Sequence, residues 1–259
     1  MNRLQKITAI RTKLRNSEVT IGSWMQIPDS SVAEIMGRSG YDWVAVDLEH
    51  GSIGRQQLPD LFRALELGGT LPLARLPQGT PPECKFALDA GAGGVIVPMV
   101  ESAADVERAV QACRWPPAGS RGVGFSRANL FGKDFQPYRR EAQEPLMIAQ
   151  IEHVRALDSL DAILRVPGLD AIMIGPYDLS ASMGLTAEFE HPDFLAVLAR
   201  IRDAVEAHHV ALGLHVVDPS PDALAAAIDA GHRFIAYSID AVFLAKACDA
   251  SSLLAPPDK

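Results

Sequence analysis

What this sequence lacks narrows its chemistry before any motif is read. Its 259 residues hold only three cysteines, Cys84, Cys113 and Cys248, far apart and all in helical patterns. They have neither the density of a disulfide framework nor the spacing of a thiolate metal site. They are expected to be reduced and inert, as in a cytoplasmic protein. Positive charge is scarce: 24 Lys and Arg face 32 Asp and Glu, a net charge of −8, which argues against nucleic acid as a partner. No apolar run approaches the roughly 18 residues of a membrane span. The start, Met1-Asn-Arg-Leu-Gln-Lys6, is polar and lacks the apolar stretch of a signal peptide. A Gly-x-Gly-x-x-Gly turn after the first strand, a Gly-x-Ser-x-Gly turn and a phosphate loop are all missing.

What is present is alternation. Short apolar runs read as strands at Val19–Trp24, Trp43–Leu48, Leu71–Arg75, Gly94–Val97, Leu146–Ile151, Leu169–Ile174, Ala211–His215 and Arg233–Tyr237. Helical patterns follow them at about 30–38, 55–67, 81–91, 102–113, 154–164, 193–208, 219–230 and 241–250, with a short turn at 179–183. Asp29 and Ser102 supply N-caps, Pro81-Pro82 a first turn, and Gly40, Gly68-Gly69, Gly91 and Gly231 stops. Residues 1–17 form an N-terminal helical extension. Eight strand–helix units without a composition break predict one (β/α)8 TIM barrel over 1–259, a fold of about 250 residues. The segment Trp115–Glu144, rich in Pro, Gly and Arg, reads as a long loop, functional or merely solvated.

In a parallel barrel, chemistry gathers at the carboxyl ends of the strands. Those ends carry Asp47-Leu-Glu-His-Gly51, Arg75, Gln150-Ile-Glu152 and Gly175-Pro-Tyr-Asp178, and Asp89 follows near the end of the next helix. Gln150 and Glu152 share one face of their strand, so two polar residues end an apolar run and face a polar pocket. Glu152 and Asp178 together can hold one hard cation by oxygen. Asp178 has a second reading as an N-cap of the short helix, and Glu152 as a surface ion-pair partner. His50, taken alone, is an ordinary loop histidine. Arg75 is harder to set aside, because a buried unpaired charge is costly. His215 ends strand 7 and is a candidate third ligand, although an all-oxygen site fits equally. Asp42, Glu49 and Asp170 read as surface or structural, as do His153, His191, His208 and His209. None of the six lysines, Lys6, Lys13, Lys85, Lys133, Lys246 and Lys259, ends a strand, which disfavours imine chemistry and leaves a metal as electron sink.

Taken jointly, several motifs resemble the HpcH/HpaI aldolase family, the metal-dependent pyruvate aldolases. They are Gly22-Ser-Trp24, Trp43-Val-Ala-Val-Asp-Leu-Glu-His-Gly51, Ala74-Arg-Leu-Pro77, Leu88-Asp-Ala-Gly-Ala92, Val97-Pro-Met-Val100, Gln150-Ile-Glu152 and Ile174-Gly-Pro-Tyr-Asp-Leu-Ser-Ala-Ser-Met-Gly184. The resemblance covers nearly the whole chain. It implies a barrel assembled as a hexamer, a trimer of dimers, with the last helix packed on a neighbouring subunit. It assigns Glu152 and Asp178 as ligands of a divalent metal, Mg²⁺ or Mn²⁺ before Co²⁺ or Zn²⁺. The Gly175-Pro176-Tyr177-Asp178 turn would hold the pyruvate carboxylate on the N–H groups of Tyr177 and Asp178. Arg75 would face the keto oxygen. His50, supported by Asp47 and by Asp89 of an adjacent subunit, would move protons, and Trp24 and Gln150 would line the pocket.

The activity so implied is aldol cleavage or condensation of a 4-hydroxy-2-oxo acid to pyruvate and an aldehyde. An acyl-CoA lyase of the citramalyl or malyl type is the alternative, although the acidic chain offers little basic track for a nucleotide. A non-catalytic 2-oxo-acid-binding protein is the third reading. The Arg121–Arg127 segment and His215 fall outside the family pattern and bear on the aldehyde side. Arg121 and Arg127 would either recognise an anionic substrate group or hold the loop down.

Overall fold

The structure, a computed structural model, describes residues 1–249. Its strands are Thr20–Met25 (β1), Trp43–Asp47 (β2), Leu71–Arg75 (β3), Gly94–Val97 (β4), Leu146–Ile151 (β5), Ala171–Ile174 (β6), Ala211–Val216 (β7) and Phe234–Ile239 (β8). They pair in chain order, all parallel, and β8 returns to β1 to close the barrel. The helices are Arg3–Arg15 (α1), Ser30–Arg38 (α2), Leu58–Gly68 (α3), Pro81–Ala90 (α4), Ala103–Cys113 (α5), Phe135–Glu141 (α6), Leu160–Leu164 (α7), Pro176–Ser182 (α8), Pro192–His208 (α9), Pro221–Asp229 (α10) and Asp240–Ala247 (α11). The predicted fold is therefore the observed one. The end expected for the last helix at Ala250 lies outside the described residues.

Strand parity decides what the barrel encloses. Trp24, Ala45, Leu73, Ile96, Ile148, Met173 and Ala236 pack together inside it. Their neighbours Val44, Val46, Ala74, Val95, Ala149 and Ile172 pack outward on the helices. Successive residues alternate faces, so the interior set continues at the carboxyl ends into Asp47, Arg75, Gln150 and His215. At the opposite end Trp43 and Phe234 stack with ring centroids 4.1 Å apart. Gly22 must be glycine there, because a Cβ would lie 2.1 Å from the Trp43 ring. Helix α1 caps that end, and its Ile7, Ile10 and Leu14 join the same interior cluster. Asn2 starts α1 with a capping box shared with Gln5.

The segment after α5 corrects the expected loop. It contains a 3-10 stretch, Arg127–Gly132, and α6. Trp115, Ala128, Tyr138 and Ala142 form a small core of its own. Arg121 is buried there, with its guanidinium over the rings of Trp115 and Tyr138 and Nη2 donating to the Tyr138 hydroxyl at 3.0 Å. Arg127 donates to the Ala90 carbonyl at 3.0 Å and pairs with Glu66. Both arginines hold this segment down. Two of the charges that suggest a loop, on Arg121 and Arg127, are thus taken up internally.

Candidate functional site

Chain polarity brings the strand ends together. A cavity of about 240 Å³ at the carboxyl end of the barrel is lined by Trp24, Asp47, His50, Arg75 and Gln150 from one side. Gly175, Pro176, Tyr177 and Asp178 line it from another. With His215 and Val217 from the end of β7 and Ile239 at β8, residues from seven of the eight strand ends reach one space, although they are up to about 215 positions apart in the chain.

Asp47 organises one half. Its Oδ2 accepts from Trp24 Nε1 and Gln26 Nε2, each at 3.0 Å. Its Oδ1 accepts from the backbone N–H of Glu49 at 3.0 Å and of His50 at 3.2 Å, and from Arg75 Nη1 at 3.3 Å. Burial alone would raise this carboxyl. Arg75 and the hydrogen bonds from Gln26, Glu49 and Trp24 outweigh burial and hold it below its ordinary value. Asp47 is thus an ionised anchor, and it supports His50 through the backbone rather than through the ring. Arg75 is buried and also lies 2.6 Å from Glu49 Oε2. Glu49 therefore belongs to the site and not to the surface. Burial raises its carboxyl, with Asp47 and Asp178 adding to the rise against Arg75 and His50.

Glu152 organises the other half. It is 2% exposed. Its Oε1 accepts the Met99 N–H at 2.7 Å and its Oε2 accepts Gln150 Nε2 at 2.5 Å. The Met99 bond gives the Val97-Pro-Met-Val100 motif a role, and Met99 holds a left-handed φ of 52° to make it. Burial pushes the Glu152 carboxyl up to about 7. Asp178 and Glu49 add to the rise, and Met99 and Arg75 oppose it only in part. Helix α8 takes Gly175 as its N-cap, so Asp178 sits in the first turn and the capping reading of Asp178 falls away. Gly175 leaves room for the neighbouring acid, since a Cβ there would lie 2.5 Å from Glu152 Oε2.

Two predicted residues sit differently from the rest. Asp89 lines a separate cavity with Lys85, Phe86 and Phe131, and its Oδ1 is 3.5 Å from Arg121 Nη1. It is not brought to His50 within one chain. His215 does line the main cavity, but its Nε2 bonds the Ser238 carbonyl at 3.1 Å and its ring stacks on Trp24 at 4.9 Å. That engagement turns Nε2 away from a ligand's role. Asp42 and Asp170 are structural as read: they bond the N–H groups of Ile21 and Met147 and pair with Lys13 and Arg11. Sequence reasoning leaves Gln26 unassigned and reads Glu49 as surface or structural, although each shares the parity of an assigned neighbour, Trp24 and Asp47.

The balance of charge points to a cation. Asp47, Glu49, Glu152 and Asp178 interact electrostatically with one another or with Arg75, the one arginine at the cavity among the described residues. Among the described residues no group of three or more His, Cys, Asp or Glu side chains is arranged to hold a metal ion. The available donor set is two carboxylates, Glu152 and Asp178, which suits a hard ion that keeps other positions open. Gln150 Oε1, buried beside Glu152 without a hydrogen-bond partner among the described residues, adds an unused oxygen donor.

The sequence model of the HpcH/HpaI aldolase/citrate lyase family matches residues 20–247. The chain belongs to this family. A hydroxypyruvate/pyruvate aldolase of Roseobacter denitrificans is 37% identical over 241 residues, spanning 92% of this chain and 93% of that protein. A 2-keto-3-deoxy-L-rhamnonate aldolase of Klebsiella pneumoniae is 37% identical over 239 residues, spanning 91% and 88%. The crystal structure of an HpcH/HpaI aldolase/citrate lyase family protein from Burkholderia cenocepacia superposes with a TM-score of 0.88 at 32% identity, over 95% of this chain and 98% of that one. With relatives named as aldolases along its length, the chain is a carbon–carbon lyase.

Proposed function

We propose that this cavity cleaves, or in reverse forms, the C3–C4 bond of a 4-hydroxy-2-oxo acid, giving pyruvate and an aldehyde. The observation that carries the reading is the buried Glu152 carboxylate, raised to about 7 beside Asp178 and short of positive charge. Glu152 and Asp178 would hold a divalent cation, with Mg²⁺ or Mn²⁺ favoured by oxygen donors. When bound, that ion supplies Lewis-acid stabilisation of the enolate of pyruvate.

The chain's own groups do the rest. The first-turn N–H groups of Tyr177 and Asp178 have no acceptor within α8 and bind the pyruvate carboxylate. Arg75, oriented by Asp47 and Glu49, faces the keto oxygen where negative charge grows as the bond breaks. His50, at the rim of the cavity, takes the 4-hydroxyl proton as the aldehyde leaves. Trp24 and Gln150 shape the walls. Asp89, away from His50 in its own chain, reaches the neighbouring site in a hexamer of paired subunits. The exposed apolar residues Val123, Phe125, Leu130 and Phe131 and helix α11 are the surfaces available for that assembly. We place the protein in the cytoplasm, consistent with three free cysteines and with no described helix long and apolar enough to cross a membrane. The acyl-CoA alternative gains no specific feature from the cavity.

The test is pyruvate release from a panel of 4-hydroxy-2-oxo acids, using chelated protein and then each divalent ion restored. Release that returns with metal supports the reading. Release undiminished by chelation overturns it.

A further inference from the structure

His215 is a polar residue of the site that the reaction above does not use. It stands at the end of β7, and in a closed ring of eight strands β7 lies opposite β3, which carries Arg75. A substrate with its keto oxygen at Arg75 therefore extends across the mouth toward His215. From β7 and β8 the cavity is also lined by Val217 and Ile239, both apolar, and from the adjoining β1 by Trp24 and Gln26. Arg75, already paired with Asp47 and Glu49, is the one lysine or arginine lining the cavity among the described residues.

Geometry sets the tautomer. A carbonyl oxygen can only accept, so the 3.1 Å contact with Ser238 puts the proton on Nε2. That carbonyl is held by design of the strand. Ser238 takes a left-handed φ of 56° at a register shift between β8 and β1, and its hydroxyl donates to the Val217 carbonyl at 2.9 Å. Nδ1 then carries the free lone pair, and no protein donor occupies it among the described residues. Burial pushes the ring down to about 4, with Arg75 adding and Ser238 and Asp47 opposing, so it is neutral at pH 7.

We propose that His215 Nδ1 accepts a hydrogen bond from a hydroxyl on the aldehyde half of the substrate, so that the enzyme selects hydroxylated, uncharged aldehydes. This rests on the enolate reading above and specifies its second substrate. An aldehyde without the hydroxyl leaves Nδ1 unpaired. An anionic aldehyde meets a lone pair and apolar side chains, with Arg75 already paired to Asp47 and Glu49.

The experiment is condensation of pyruvate, with saturating Mg²⁺, onto glyceraldehyde, propanal or glyoxylate. Propanal lacks only the two hydroxyls of glyceraldehyde. His215→Phe keeps an aromatic ring on Trp24 and removes the acceptor, and His215→Gln restores one. The expected result is a fall of about tenfold in the glyceraldehyde-to-propanal ratio of kcat/KM for His215→Phe, mainly in KM, with part of the ratio regained by His215→Gln. Equal losses on both aldehydes would make His215 a mere support for Trp24 and overturn the proposal. So would an unchanged ratio, or a wild-type preference for glyoxylate. Exchange of pyruvate methyl protons in D₂O needs no aldehyde and separates the two levels. Normal exchange with an unchanged ratio rejects this inference alone, whereas absent exchange in the wild type rejects the enolate reading with it.

Discussion

At the scale of single residues, the site is two carboxylates in opposite circumstances. Asp47 receives five hydrogen bonds and is held ionised, while Glu152 receives two and is held on the edge of protonation. One anchors Arg75, and the other waits for positive charge. Glu152→Gln keeps an oxygen for the Met99 N–H and loses the charge. It is expected to lower metal-dependent kcat/KM by at least ~100-fold, with no loss in thermal midpoint, because a penalised charge leaves the interior. Steady-state assays together with thermal unfolding check both halves of that statement. Gly175→Ala acts on the same carboxylate from outside, since its Cβ would fall 2.5 Å from Glu152 Oε2. Displacing that oxygen is expected to weaken Mn²⁺ binding by about tenfold, read by titration calorimetry. The sequence made Glu152 legible through its parity with Gln150. Glu49 reads from the sequence as surface or structural, although the same parity with Asp47 is available, because a charged residue past a strand end usually meets water.

At the scale of elements, the strand ends were predicted closely because buried parallel strands are short unbroken apolar runs. Leu71–Arg75 and Gly94–Val97 match residue for residue. The 115–144 segment was not legible as structure. Its order comes from aromatic residues Trp115 and Tyr138 closing on Arg121 across more than twenty positions, a contact without a local period. Helix α1 was visible as a helix but not as the stopper of the barrel. Its role rests on Ile7, fully buried against the strand starts. Ile7→Ala is expected to cost ~2–4 kcal/mol in urea unfolding while leaving kcat close to wild type, since α1 sits at the end remote from the cavity. A large loss of kcat without destabilisation would contradict that separation of a stabilising end from a reacting end.

At the scale of the whole molecule, net negative charge and buried titratable groups set the response to pH. His232 is buried, its Nδ1 has no partner among the described residues, and burial lowers its ring to about 4, with Arg202 and Arg233 adding. The unfolded chain therefore binds this proton more readily. The contribution is fully present above the unfolded value near 6.5 and is lost as pH falls toward 4. In metal-free protein Glu152 works in the opposite sense, gaining stability as pH falls from about 7 toward its ordinary 4.5. The histidine effect is accordingly read as a difference: between pH 7 and pH 5, His232→Leu is expected to lose less stability than wild type by about 1 kcal/mol or more in urea midpoints. Equal losses would remove His232 from the account.

The claim on which the rest depends is that Glu152 and Asp178 hold a divalent ion that stabilises the pyruvate enolate. Its most direct test is proton NMR of pyruvate in D₂O, following loss of the methyl signal with chelated enzyme, with Mg²⁺ or Mn²⁺ restored, and with Glu152→Gln under the same metal. Exchange is expected only for wild-type enzyme with metal. Exchange that persists after chelation, or that Glu152→Gln sustains at the wild-type rate, would contradict it.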